Sequence, residues 1–87
     1  MLEEFVGQLV VVDLDSPYVC LGQLMRVDDR FLELHNADLH DLRDTHTARE
    51  NYVAASLTTG IKRNRKRVLL ARAEVVAISL LAEIVDE

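Results

Sequence analysis

A single cysteine, Cys20, excludes an intramolecular disulfide in this chain of 87 residues and fits a reducing compartment. Tryptophan is absent and only two tyrosines and two phenylalanines occur, so a core has to be built mainly from Val, Leu, Ile and Ala. The three glycines, Gly7, Gly22 and Gly60, lie far apart, which excludes a glycine-rich phosphate loop. The one proline, Pro17, sits in Asp15-Ser16-Pro17, where its preset φ suits a turn. No apolar run is long enough to span a bilayer, and Met1-Leu2-Glu3-Glu4 lacks the basic start of a signal peptide. The expectation is a cytoplasmic protein with no membrane partner.

What is present is apolar and β-rich. Hydrophobic residues make up 49% of the chain, a high share for one domain near the lower size limit of a single core. Part of that apolar surface is expected at a subunit interface, since association is one way a short scaffold gains stability. One domain spans residues 1–87. Leu2, Phe5 and Val6 are spaced to share one side of a short helical lead. Leu9–Leu14 reads as a first strand, with Val10, Val12 and Leu14 on one face and Leu9, Val11 and Asp13 on the other. A strand over Tyr18–Val27 follows, then a turn at Asp28-Asp29, then a strand over Phe31–Asn36. Gly22 inside the second strand marks a sharp bend or a close backbone approach.

From Ala37 to Gly60 the alternation stops. A helix is expected over residues 45–58, capped by Asp44, Thr45 or Thr47, with Ala48, Tyr52 and Ala55 on one narrow face and Gly60 as its stop. Arg67–Arg72 and Val75–Leu81 then read as a hairpin about Ala73-Glu74. A continuous helix from Ala71 to Ile84 competes, but the β-branched Val75, Val76 and Ile78 favour strand. The fold class is therefore mainly β: a small, strongly bent antiparallel barrel of five strands, with a helical insertion between strands 3 and 4.

Charge is unevenly spread. Residues 1–60 carry 11 acids and four bases, whereas residues 61–72 carry six bases and no acid. Those bases are Lys62, Arg63, Arg65, Lys66, Arg67 and Arg72. A net charge of −5 argues against indiscriminate binding of nucleic acid, but a local basic run can still take a polyanion. The alternative is a solvated segment that protects a strand edge. Asp38, His40, Asp41, Asp44 and His46 are potential metal ligands. They match no metal motif and also read as a solvated loop and helix cap, so no metal or other cofactor is assigned. Ser16, Ser56 and Ser79 lack a nucleophile motif, and Cys20 falls in phase with the inward face. No catalytic residues are assigned, and an enzyme is not expected.

Gly22, Leu24, Val27 and Asp28, followed by the strand from Phe31, resemble the first signature of the Sm/LSm family, including its bacterial Hfq-related branch. The resemblance covers residues 9–36 and 67–81 and implies an Sm-like (SH3-like) barrel that forms a homo-oligomeric ring. Departures lie in the second signature, where Leu70-Ala71-Arg72 replaces Ile-Arg-Gly, and at the uracil-reading Asn, where Leu32 stands. The resemblance implies that the turns holding Asp28, Asp29, Arg30 and Arg72 meet at a pore, where Arg30 or Arg72 could stack on an RNA base. The same arginines could instead pair with Asp28, Asp29 or Glu74. Two functions remain open at this point: a ring that binds RNA or another polyanion, or an oligomeric module that binds a protein partner and no nucleic acid.

Overall fold

The computed structural model describes residues 1–44 and 47–85. After a 3₁₀ turn at Leu2–Phe5 come β1 (Leu9–Leu14), β2 (Tyr18–Val27) and β3 (Phe31–Asp41). Helix α1 (Arg49–Thr59), β4 (Arg65–Ala71) and β5 (Val75–Leu80) complete the chain. The five strands form one antiparallel sheet in the order β4-β3-β2-β1-β5, with α1 between β3 and β4. This is the predicted fold class. The sheet curls so that Val10, Val12, Cys20, Leu24, Leu32, Leu34 and Leu70 share one core with Val75, Ile78 and Leu80 of the far edge strand.

The bend has a local cause. Leu21 pairs with Asp38 and Gln23 with His35, so Gly22 alone opposes the two residues Asn36 and Ala37. Asn36 takes a left-handed φ of 51° to make this bulge. A Cβ on Gly22 would lie 2.9 Å from the Cβ of Ala37 and 3.2 Å from the carbonyl oxygen of His35. The glycine is therefore required by close backbone approach. A second irregularity places Met25 as an extra residue on β2, because Leu24 pairs with Leu34 and Arg26 with Glu33.

A second core lies on the other side of β1 and β2. There Val11, Val19 and Leu21 are covered by Val53 of α1 and by Leu81, with Tyr52, Ile61 and Ile84 packed around them. Burial on both faces explains the unbroken runs Val10-Val11-Val12 and Val19-Cys20-Leu21, in which strict alternation is lost.

Several expected boundaries move. β3 runs to Asp41 instead of Asn36, since Asp38 to Asp41 pair with Leu21 to Tyr18. The polar letters there hid a strand whose backbone pairing continues past the bulge. Helix α1 starts at Arg49, with Ala48 at its N-cap and no side-chain cap. The proposed cap Thr45 lies outside the described residues. The buried face of the helix is Val53 and Ser56, whereas Ala48 and Ala55 are exposed. Gly60 does end the helix, at φ 83° with its N–H donating to the Ser56 carbonyl. The expected hairpin of the last two strands does not form: β4 pairs with β3 and β5 with β1, on opposite edges of the sheet, and a 3₁₀ turn, Arg72–Glu74, carries the chain between them in place of a two-residue turn.

Candidate polyanion-binding surface

The basic segment is held by one uncharged residue. Asn64 donates its backbone N–H to the Ala37 carbonyl at 2.8 Å. Its side-chain amide nitrogen donates to the Leu39 carbonyl at 3.2 Å and to Asp38 at 3.1 Å, and its amide oxygen accepts the Leu39 N–H at 3.0 Å. These bonds pin the chain to the edge of β3 and leave Lys62, Arg63, Arg65 and Lys66 exposed around the anchor. Among the described residues, the side chains of Lys62, Arg63 and Lys66 make no hydrogen bond or ion pair. Within that set the Arg65 side chain donates only to the neighbouring Asn64 carbonyl, at 3.2 Å.

Arg67 behaves differently. Its guanidinium meets the Glu33 carboxylate, with Nε 3.2 Å from Oε2. Arg26 reaches the same carboxylate at 2.9 Å and His35 at 2.6 Å. With Arg67, His35 and Arg26 bonding to it, Glu33 is held down at about 2, well below the ordinary carboxylate range. The sequence groups Arg67 with the free bases; the register sets it apart, because Arg67 faces His35 across β3 and β4. Arg26, Glu33 and His35 went unassigned in the sequence. Only the extra residue Met25 brings Arg26 opposite Glu33.

The turns that follow β2 and β4 are hydrogen-bonded to each other within the chain. Asp28 accepts the N–H groups of Arg30 at 2.8 Å and Phe31 at 2.7 Å, and these bonds lower its pKa. Arg72 donates its N–H to the Arg30 carbonyl at 2.7 Å and its guanidinium to the Asp28 carbonyl at 2.8 Å. Arg72 is thus tied to backbone, and among the described residues no carboxylate of Asp28, Asp29 or Glu74 pairs with Arg30 or Arg72. The Arg30 side chain makes no hydrogen bond or ion pair within that set, and Asp29 is exposed beside it.

The predicted site therefore divides. Lys62 to Lys66 lead into the first residues of β4, while Arg72 follows its last. At about 3.3 Å per residue, the strand between them separates the two groups by roughly 20 Å.

The acidic and histidine cluster is taken up by the fold. Asp38 is 2% exposed and accepts the Tyr52 hydroxyl as well as the Asn64 amide. His40 stacks on Tyr52 with ring centroids 3.8 Å apart. Burial, with the Asp38 carboxylate beside it, pushes the Tyr52 hydroxyl pKa up. Asp41 pairs with Arg43 at 2.8 Å and is held at about 2 by that guanidinium. Asp44 is exposed, and His46 lies outside the described residues. Among the described residues no three His, Cys, Asp or Glu side chains are placed to hold a metal ion. Cys20 is buried in the inner core, and burial raises its thiol to about 12. No described helix is long and apolar enough to cross a membrane.

No protein-family model matches this sequence, and no curated protein matches it.

Proposed function

We propose that this chain is an Sm-like subunit that assembles with copies of itself and binds RNA or another polyanion through Lys62, Arg63, Arg65 and Lys66. One observation carries the reading: the basic side chains sort into two sets. Arg26, Arg43, Arg49 and Arg67 each meet a carboxylate within 3.2 Å, and Arg72 binds a backbone carbonyl. Among the described residues, the bases around Asn64 are spared such pairing although acids outnumber bases 15 to 10 in the whole chain. An exposed run of unpaired bases on a rigid anchor suits phosphates, which supply most of the affinity for nucleic acid and make it salt-dependent. Arg30, whose side chain has no partner among the described residues, stands at the far end of β4 and would reach the same ligand only across a neighbouring subunit or along an extended strand. Its guanidinium suits base stacking more than bulk affinity.

Filter binding of a short single-stranded RNA across a salt series tests this. Changing Lys62, Arg63, Arg65 and Lys66 together to Ser should flatten the slope of log K against log salt by up to about 3 units. Unchanged binding and slope in that variant would overturn the reading and favour a protein-binding module. The second reading draws its support from exposed apolar side chains, among them Val76 at 67% and Leu69 at 45% exposure on the two outer strands.

A further inference from the structure

We propose that Arg26 and Arg67 form a second phosphate-binding site, on the outer face of β2, β3 and β4, with Glu33 as the residue that positions them. The site lies apart from the basic segment around Asn64, and it shares with the proposed function only the class of ligand. Its basis is an imbalance around one carboxylate. Glu33 receives Arg26 through Nε at 3.1 Å and Nη2 at 2.9 Å, Arg67 through Nε at 3.2 Å and Nη2 at 3.4 Å, and His35 at 2.6 Å. Two permanent cations thus bond to one carboxylate, so the group of Arg26, Glu33 and Arg67 carries a net positive charge, with Asp28 nearby in the same groove.

Exposure decides what an incoming ligand meets. The Glu33 side chain is 10% exposed, whereas those of Arg26 and Arg67 are 76% and 55% exposed. The carboxylate lies beneath the two guanidiniums and is screened by them. Each guanidinium has five N–H donors and commits one to a hydrogen bond with Glu33, with a second nitrogen in ion-pair contact, so at least three on each remain for a ligand. Both arginines are already converged by the same buried anchor, so little side-chain freedom is lost when a phosphate binds. Bidentate recognition of phosphate oxygens is the chemistry such paired forks perform. A groove of about 220 Å³, lined by Arg26, Val27, Asp28, Phe31, Glu33 and Leu69, adjoins Arg26 and gives room for the group that carries the phosphate; the Asp28 carboxylate in its wall is taken up by the N–H groups of Arg30 and Phe31.

The test is a titration of the full chain, followed through the arginine Nε–Hε resonances by NMR. One arm uses inorganic phosphate, one a short single-stranded RNA, and a control uses sodium chloride at matched ionic strength. Saturable shifts at Arg26 and Arg67 with phosphate, absent with chloride, are expected. Shifts with RNA as well identify a nucleic-acid backbone as ligand, and shifts with phosphate alone identify a free phosphate group. Arg26→Lys, which keeps the charge and removes the fork, should weaken phosphate binding at least about tenfold. The variant with Ser at positions 62, 63, 65 and 66 should keep the phosphate shifts even where it loses RNA binding. No phosphate-specific shift at Arg26 and Arg67, or its loss in the Ser variant, would overturn the site while leaving the first proposal to its own salt series.

Discussion

The side-chain amide of Asn64 pairs with both backbone groups of Leu39, accepting its N–H at 3.0 Å and donating to its carbonyl at 3.2 Å. A side chain here takes the place of a strand residue, continuing the ladder one step beyond Arg65 and Ala37. The same amide nitrogen reaches the buried carboxylate of Asp38, which also accepts the Tyr52 hydroxyl from α1. Strand β3, helix α1 and the basic segment are thereby joined through Asn64 and Asp38.

Asn64→Ala should cost about 1–3 kcal/mol, because it strips three hydrogen bonds and leaves Asp38 with one fewer donor in a buried position. Urea unfolding should show a lower midpoint at an unchanged slope. An unchanged midpoint would mean that these bonds are replaced by water at no cost.

Gly22→Ala should destabilise by about 1–3 kcal/mol, since the added methyl overpacks a site that cannot open without moving β3. The new Cβ would stand 2.9 Å from the Ala37 Cβ and 3.1 Å from the Ala37 Cα. Ala37→Gly removes the nearer atom. In a double-mutant cycle measured by thermal unfolding, the pair should therefore lose less stability than the two single changes added together. Strict additivity would place the strain elsewhere.

These two residues mark what could be read in the sequence. Gly22 announced a bend because glycine inside an apolar strand has few other uses. Val75, Val76 and Ile78 identified β5 by their branched side chains, and Gly60 announced the end of α1. The Asn64 anchor and the Glu33 network were not legible, because both depend on which residues stand side by side across strands. Register shifts at Gly22 and Met25 decide that, and neither leaves a periodic signal. The polar stretch Asp38 to Asp41 concealed the second half of β3 for a related reason: its carboxylates are satisfied by Tyr52 of α1, Asn64 and Arg43, and the His40 ring stacks on Tyr52. Basic residues were visible as a group, but the loss of Arg67 to Glu33 was not.

Acid should remove stability through Glu33 and Asp41. Both are held at about 2 when folded, against ordinary values of 4.5 and 3.8. The folded pKa lies below the unfolded one, so the unfolded chain binds more protons in this window and stability rises with pH there. The contribution is complete above the unfolded values and is lost as pH falls from about 4.5 towards 2. Glu33→Gln should reduce the pH dependence of the urea midpoint over that range. A curve identical to that of the parent would show that the network does not couple to folding.

The final prediction concerns which edges join copies of the chain. β4 and β5 are the outer strands of the sheet and carry the exposed Leu69 and Val76. Bare apolar edges of this kind recruit another strand. Charge selects the partner. β4 begins with Arg65, Lys66 and Arg67 and is followed by Arg72, whereas the uncharged β5 lies between Glu74 and Glu83. Pairing β4 with β4 would bring basic strands together, and β5 with β5 would gather acids, so a β4–β5 contact between different copies is favoured. Such a contact is heterologous, and it closes a ring when the rotation permits. Light scattering should find an oligomer in the parent and monomers in both Leu69→Lys and Val76→Lys. Mixing the two variants is the decisive step. Each retains one intact edge, and the two intact edges are complementary, so the mixture should form dimers that neither variant forms alone. A mixture that stays monomeric, or a parent that is monomeric at high concentration, would rule out assembly through β4 and β5.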